Sequence, residues 1–235
     1  MREGLIQRGG AAVDIDGSRG EGGGQILRTS LALSMITGRP LRMRQVRAGR
    51  AKPGLRRQHL ACVHAAQRLC HAEVRGDEVG SMALDFTPRA DYDGWAEALV
   101  IDIGSAGSTT LVVQTILVPA IISGRALRVT VHGGTHNPMA PPFEFLERVF
   151  LPHLHAMGAA AALGLERHGF ATGRASRARA GEDDSQYRGE LSVTVQPGTL
   201  RPIEIVEAGE LTARRATAIL ARLPTHVADR ELGVV

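Results

Sequence analysis

Aromatic residues are scarce. They make up 3% of the 235 residues, as five Phe, two Tyr and one Trp. The core must therefore rest on Ala, Val, Leu and Ile, which bury well but offer no π surface. Lysine is scarcer still: Lys52 is the only one, and every other basic residue is arginine. Heavy use of Ala, Arg and Gly fits a GC-rich coding bias as well as a functional need. Cys62 and Cys70 are the only cysteines, eight apart on a predicted helix. Such a pair suggests neither a disulfide framework nor a zinc site. The most hydrophobic run, Leu111 to Ile122, is too short to span a bilayer and contains Gln114 and Pro119. The first ten residues hold no apolar stretch of signal-peptide length, so a soluble, cytoplasmic protein is expected.

What is present is a hydrophobic share of 43%, enough for one large or two smaller domains. The net charge of +4 is unevenly spread. Residues 1–75 hold 14 basic and 5 acidic residues, whereas residues 76–235 hold 14 and 19. Arg39 to Arg57 carries eight cations and no acid. Local asymmetry of this kind suggests a polyanionic partner. A solvated arginine-rich face is the competing reading.

The chain also repeats itself at a constant offset of 86. Nine identities fall in the ungapped window 28–63, and the clearest pairs Met35-Ile-Thr-Gly-Arg-Pro-Leu-Arg-Met43 with Ile121-Ile-Ser-Gly-Arg-Ala-Leu-Arg-Val129. A repeat of this length marks one supersecondary unit used more than once. Each copy predicts a short strand (12–16 or 99–103) and a glycine-rich turn. A helix (25–37 or 111–123) follows and stops at Gly38 or Gly124. Next come an alternating strand (41–46 or 127–132) and a second helix (55–71 or 142–157), with further strands such as 82–87. The fold class is α/β (α+β), with two helices on a small four-stranded sheet. The predicted organisation is a first repeat over 11–90 and a second over 97–170. After Phe170 the pattern breaks into a polar, Arg-rich and then acidic stretch, read as a loop. Strands are predicted at 191–195 and 203–206, and helices at 211–223 and 225–232.

Four motifs carry chemistry. Asp16-Gly-Ser-Arg-Gly-Glu-Gly-Gly-Gly-Gln25 joins a strand to a helix, where glycines let backbone N–H groups approach an anion. It is neither a dinucleotide fingerprint nor a P-loop. Glu21 could hold a metal or orient a phosphate there; a plain tight turn is the alternative. Arg47-Ala-Gly-Arg-Ala-Lys-Pro-Gly-Leu-Arg-Arg-Gln-His59 offers arginine forks and one lysine point charge for phosphate. No aromatic residue is interleaved with these cations, so base stacking is not supported there. His59 could join the same phosphate or be structural. Gly104 to Gln114 repeats the strand–turn–helix pattern, and Gln114 is a polar residue in an apolar helix, a ligand contact or a satisfied amide. Gly133-Gly-Thr-His-Asn-Pro-Met-Ala-Pro-Pro142 replaces charge with Gly and Pro, as an apolar nucleotide wall or a structural loop.

Together with His168-Gly-Phe170, these stretches resemble the RNA 3′-terminal phosphate cyclases. The resemblance runs from about 12 to 170 and resumes at 191–231, where Leu223 to Glu231 looks like the start of that family's inserted smaller domain. It implies an atypical loop and the start of a third repeat over 171–198 and the beginning of the inserted domain over 199–235. It implies repeats resembling the C-terminal domain of translation initiation factor three. It implies an ATP-dependent reaction of the ligase class, yielding AMP and diphosphate. A histidine is adenylylated, AMP moves to the RNA 3′-phosphate, and the 2′-hydroxyl displaces it to leave a 2′,3′-cyclic phosphate. By the same resemblance Glu21 helps hold a divalent metal (Mg or Mn). Arg28, Gln114 and Pro138 contact ATP. Arg47, Arg50, Lys52, Gln58 and His59 hold the RNA phosphate. The family's nucleophilic histidine is expected beyond Val235, and no catalytic residue is assigned within the chain. His-Gly-Phe continues here into an unrelated polar stretch, Ala171 to Glu190. Two other readings are a non-catalytic RNA-binding relative of the ribosome-biogenesis type and an enolpyruvyl-transferase-like enzyme.

Overall fold

The computed structural model describes residues 10–89, 96–170, 188–220 and 223–234. The chain divides into two compact units, Met1–Arg201 and Pro202–Val235. In the first unit one topology is used twice. The first copy is β1 (Val13–Asp16), α1 (Gly24–Thr37), β2 (Leu41–Arg44), α2 (Arg57–Cys70), β3 (Glu73–Arg75) and β4 (Ala83–Thr87). The second is β5 (Ala98–Asp102), α3 (Thr109–Ser123), β6 (Leu127–Gly133), a second helical segment, β7 (Ala160–Arg167) and β8 (Gly189–Gln196). The sheets run β1-β2-β4-β3 and β5-β6-β8-β7. In each, the first two strands are parallel across a helical crossover and the other pairs are antiparallel.

Local sequence explains the elements. Leu41 and Met43 face the core while Arg42 and Arg44 face solvent, the period-two pattern of a half-buried strand. Gly38 and Gly124 end α1 and α3 in the left-handed conformation, φ 70° and 67°. The second helical segment is α4 (Phe143–Phe145), a π-helical stretch Leu146–Phe150, and α5 (Leu151–Ala156). Pro152 has no N–H to give, and its ring crowds the carbonyl four residues back. The turn before it widens, and the Leu151 N–H bonds to the Leu146 carbonyl. α3 is apolar on all sides and buries 11 of its 15 residues. It packs on β6 and β8 of its own sheet and on α1 and α2 of the first copy, so one core runs through both repeats.

Three expectations change. The strand at 191–195 does not open a third repeat. It is β8, paired between β6 and β7, and it buries Leu191, Val193 and Val195 in the second core. It starts at Gly189, about 20 residues after the place that an offset of 86 from Ala83 gives, which hid it from the repeat pattern. The polar stretch falls inside this β7–β8 connection, and its residues 171–187 lie outside the described ones. In the second unit, α6 (His226–Leu232) forms as expected. The strand at 203–206 and, among the described residues, the helix at 211–223 do not. Ile205, Val206 and Leu211 are exposed there, and an apolar face without burial does not sustain a short helix or an unpaired strand.

Backbone approach at the loop end of the second sheet requires glycine. A Cβ on Gly169 would lie 2.2 Å from the Gly189 nitrogen and 2.6 Å from the Gly133 oxygen. Gly169→Ala is expected to destabilise by about 1–3 kcal/mol or more, the range for overpacking. Gly49→Ala, whose Cβ would meet nothing closer than 3.8 Å, is the matched control. Equal thermal midpoints for the two variants would refute this packing.

Candidate phosphate-binding site

The first four N–H groups of any helix lack intrahelical partners. α1 leaves them open: its N-cap is Gly23, no side chain caps it, and no acid stands in its first turn. Gly20 and Gly22 turn the preceding loop in left-handed conformations. Three side chains press against the glycines that follow. A Cβ on Gly23 would come within 2.8 Å of the Arg50 guanidinium. One on Gly24 would meet His59 Nε2 at 2.5 Å and Arg28 at 2.9 Å. Helix N-terminus, two guanidiniums and an imidazole thus converge on bare backbone, an arrangement suited to an anion.

His59 is held neutral in this company. Burial lowers its pKa to about 4, and Arg47, Arg28 and Arg56 push the same way. Its Nδ1 accepts from the Arg56 N–H at 3.2 Å, which leaves the neutral ring's proton on Nε2, the atom facing α1. Arg28 is half-buried; desolvation lowers its pKa, and its guanidinium donates to Gln25 Oε1 at 3.1 Å.

The other expected residues divide. Arg50 forms an ion pair with the largely exposed Glu21. Arg47 folds back to donate to the carbonyls of Lys52 and Gly54, both at 2.8 Å, and so shapes the loop it sits on. Lys52 is exposed. Gln58 Oε1 accepts from the Ser108 N–H at 2.9 Å, and Arg57 donates to the Gly104 carbonyl at 3.0 Å, so the start of α2 is clamped to the second repeat. Gln114 is half-buried on α3 at the position that Arg28 holds on α1, 86 residues earlier, and no hydrogen bond to its amide is seen among the described residues. Pro138 lies exposed in a turn beside Met139, on the loop that Asn137 ties to the Ala106 carbonyl at 2.6 Å. Glu21 is a lone carboxylate. Among the described residues no group of three or more His, Cys, Asp or Glu is placed to hold a metal. That fits a cation coordinated mainly by phosphate and water, as Mg²⁺ commonly is, and not a protein cage. Sequence reasoning missed a cluster of His136, Glu144, His168 and Phe170, which are too far apart in the chain to read as one motif.

Comparison with known proteins decides the family. The profile of the RNA 3′-terminal phosphate cyclases matches residues 19–220. The chain belongs to that family. It is 45% identical over 223 residues to an RNA 3′-terminal phosphate cyclase of Ectopseudomonas mendocina, covering 95% of this chain and 60% of that protein. It is 44% identical over 220 residues to the Pseudomonas fluorescens protein of that name, covering 94% and 59%. With the Koribacter versatilis protein of that name the identity is 42% over 223 residues, covering 93% and 57%. The chain thus spans about three-fifths of the length of these relatives. Among the described residues no helix is long and apolar enough to cross a membrane.

The depressed His59 pKa has a consequence for stability. A histidine neutral in the fold but protonated in the unfolded chain favours unfolding as the pH falls from its ordinary 6.5 toward 4. Stability should therefore drop across that window, and His59→Gln should flatten that part of the curve. Parallel denaturation-versus-pH curves for the two proteins would show that His59 is not buried neutral.

Proposed function

We propose that this chain supplies the phosphate-gripping part of an ATP-dependent RNA 3′-phosphate cyclase, which converts an RNA 3′-phosphate to a 2′,3′-cyclic phosphate with release of AMP and diphosphate. The observation that carries the reading is the open N-terminus of α1, framed by Arg28, Arg50 and His59. The equivalent helix start in the second repeat is closed: the Ser108 hydroxyl accepts from the Leu111 N–H, and Thr109 and Thr110 donate to Gly134 and Pro141. Only the first copy is left free for a ligand.

In this reading the phosphate takes the α1 amides, the Arg28 and Arg50 forks and the His59 Nε2–H. Glu21 would help hold Mg²⁺ or Mn²⁺, which would supply positive charge against the ATP phosphates. Arg50, now paired with Glu21, lies where it would reach the same phosphate. Gln114, the counterpart of Arg28 on α3, takes ATP by its amide, and Pro138 packs near the adenine. Arg47 holds the loop in shape, and Lys52 adds a long-range positive charge. Gln58 has its carbonyl committed to Ser108, which leaves its amide N–H groups for the phosphate. The names of the matched relatives favour this over a non-catalytic RNA-binding role. Such a protein works in the cytoplasm, where ATP and processed RNA ends occur.

Two experiments test the assignment. Arg50→Ala should weaken binding of a 3′-phosphorylated oligonucleotide more than that of its 3′-hydroxyl counterpart, and lower the salt slope by roughly one unit. Equal losses would reduce the site to nonspecific electrostatics. Gln114→Ala should lower ATP affinity with little change in thermal midpoint. A large fall in midpoint at unchanged affinity would make Gln114 a structural amide.

A further inference from the structure

The two repeats treat equivalent positions differently. At the offset of 86, His136 stands where the first copy has Arg50, and Glu144 where it has Gln58. The charge of the phosphate cradle is replaced by rings. His136, His168 and Phe170 lie within 17° of parallel, with centroids 4.7 Å apart for His136–Phe170, 5.6 Å for His136–His168 and 6.0 Å for His168–Phe170. Two Phe-or-imidazole neighbours of this kind could be chance, but this set is held rigidly. His136 Nδ1 lies 2.8 Å from the Thr135 hydroxyl and its Nε2 lies 2.9 Å from Glu144, so both ring nitrogens are engaged. Thr135 is fully buried and receives the Gly169 N–H at 2.9 Å, and His136 and Phe170 form a β-bridge. His168 is exposed and Phe170 half-buried, so the set keeps free ring surface.

The rings are joined to the cradle by an unbroken row of loops. Gln58, beside His59, holds Ser108; the Gly134 N–H bonds to Gly107 at 2.7 Å; the Thr135 N–H bonds to Gly169 at 2.7 Å. A single strand with its end phosphate at His59 can follow this row. An exposed ring face at such a stack, with a carboxylate beside it, does not suit another phosphate but does suit the uncharged face of a base.

We propose that His136, His168 and Phe170 form a stacking platform for a nucleobase of the RNA strand whose terminal phosphate occupies the α1 cradle. The proposal rests on the phosphate reading above and adds a base-binding subsite to it. Stacking on an aromatic side chain is insensitive to base identity, so the platform confers affinity for a strand without choosing its sequence.

The test uses the 235-residue chain with short 3′-phosphorylated oligonucleotides, either intact or abasic at the last positions. The wild type should bind the intact strand about fivefold or more tightly than the abasic one. Phe170→Ala and His168→Ala should each remove much of that difference and leave inorganic pyrophosphate binding unchanged. Because His168 is exposed, its variant keeps the test valid should Phe170→Ala fail to fold. Equal wild-type affinity for intact and abasic strands would overturn the platform. So would variants that lose ATP binding but keep strand binding, which would give the surface to adenine instead. The intact-versus-abasic comparison reads stacking with 3′-hydroxyl strands too. A missing preference for 3′-phosphate ends would therefore count against the cradle alone.

Discussion

A helix start leaves amide groups that must find partners, and the whole working end of this fold follows from how two such starts are treated. In the second repeat the Ser108 hydroxyl and the Gly134 carbonyl accept the N–H groups of Leu111 and Thr109 at the start of α3, and the Thr109 and Thr110 hydroxyls donate to Gly134 and Pro141 and sew it to the 133–142 loop. In the first repeat glycines stand there, and nothing on α1 itself supplies an acceptor. The arginines around it cannot help, because a guanidinium is only a donor. Donors facing donors make an arrangement suited to an anion, and the start of α3 has no such opening.

That support is physical contact between repeats. α3 sits in one core with α1 and α2, so the two sheets cannot move independently of the helices between them. Gln58 and Arg57 then fix the start of α2 to the Gly104–Ser108 loop. Gly107 belongs to the same joint, since a Cβ there would come 2.8 Å from Ile103 and 3.2 Å from Gln58. His59 follows Gln58 in sequence, so the clamp also sets where its imidazole points.

Much of the architecture was legible because local patterns and global packing agree. The offset of 86 predicted two copies of one unit, and Gly38 and Gly124 stop α1 and α3 where expected. The strand at 191–195 was legible but its place in the second repeat was not, because the β7–β8 connection is longer than its counterpart, which shifts the register without altering the topology. The second unit escaped for another reason. Its apolar residues alternate as in a strand, but periodicity predicts structure only where a partner surface exists to bury it. At the candidate site, Arg50 and His59 could be named from composition and motif, and Arg28 from the family resemblance. That Arg47 braces its own loop and that Gln58 reaches into the second repeat could not. Those roles depend on a carbonyl 7 residues away and an N–H 50 residues away.

The glycines of the first motif show why a motif's usual explanation can be incomplete. Gly20 and Gly22 need their left-handed backbone. Gly23 and Gly24 do not; a side chain there would displace what lies over them, Arg50 on one and His59 with Arg28 on the other. Their smallness therefore serves the approach of those groups and not the turn. An alanine at Gly24 would occupy the space that brings the imidazole and the guanidinium to bare backbone, and the cradle would lose its closest convergence of donors. The same logic explains the neutral histidine. Burial first, and then the surrounding arginines, disfavour a protonated imidazole, whereas a neutral one still donates through Nε2. On the reading proposed above, charge for the anion would come from the arginines and the helix, and His59 would add direction without adding repulsion.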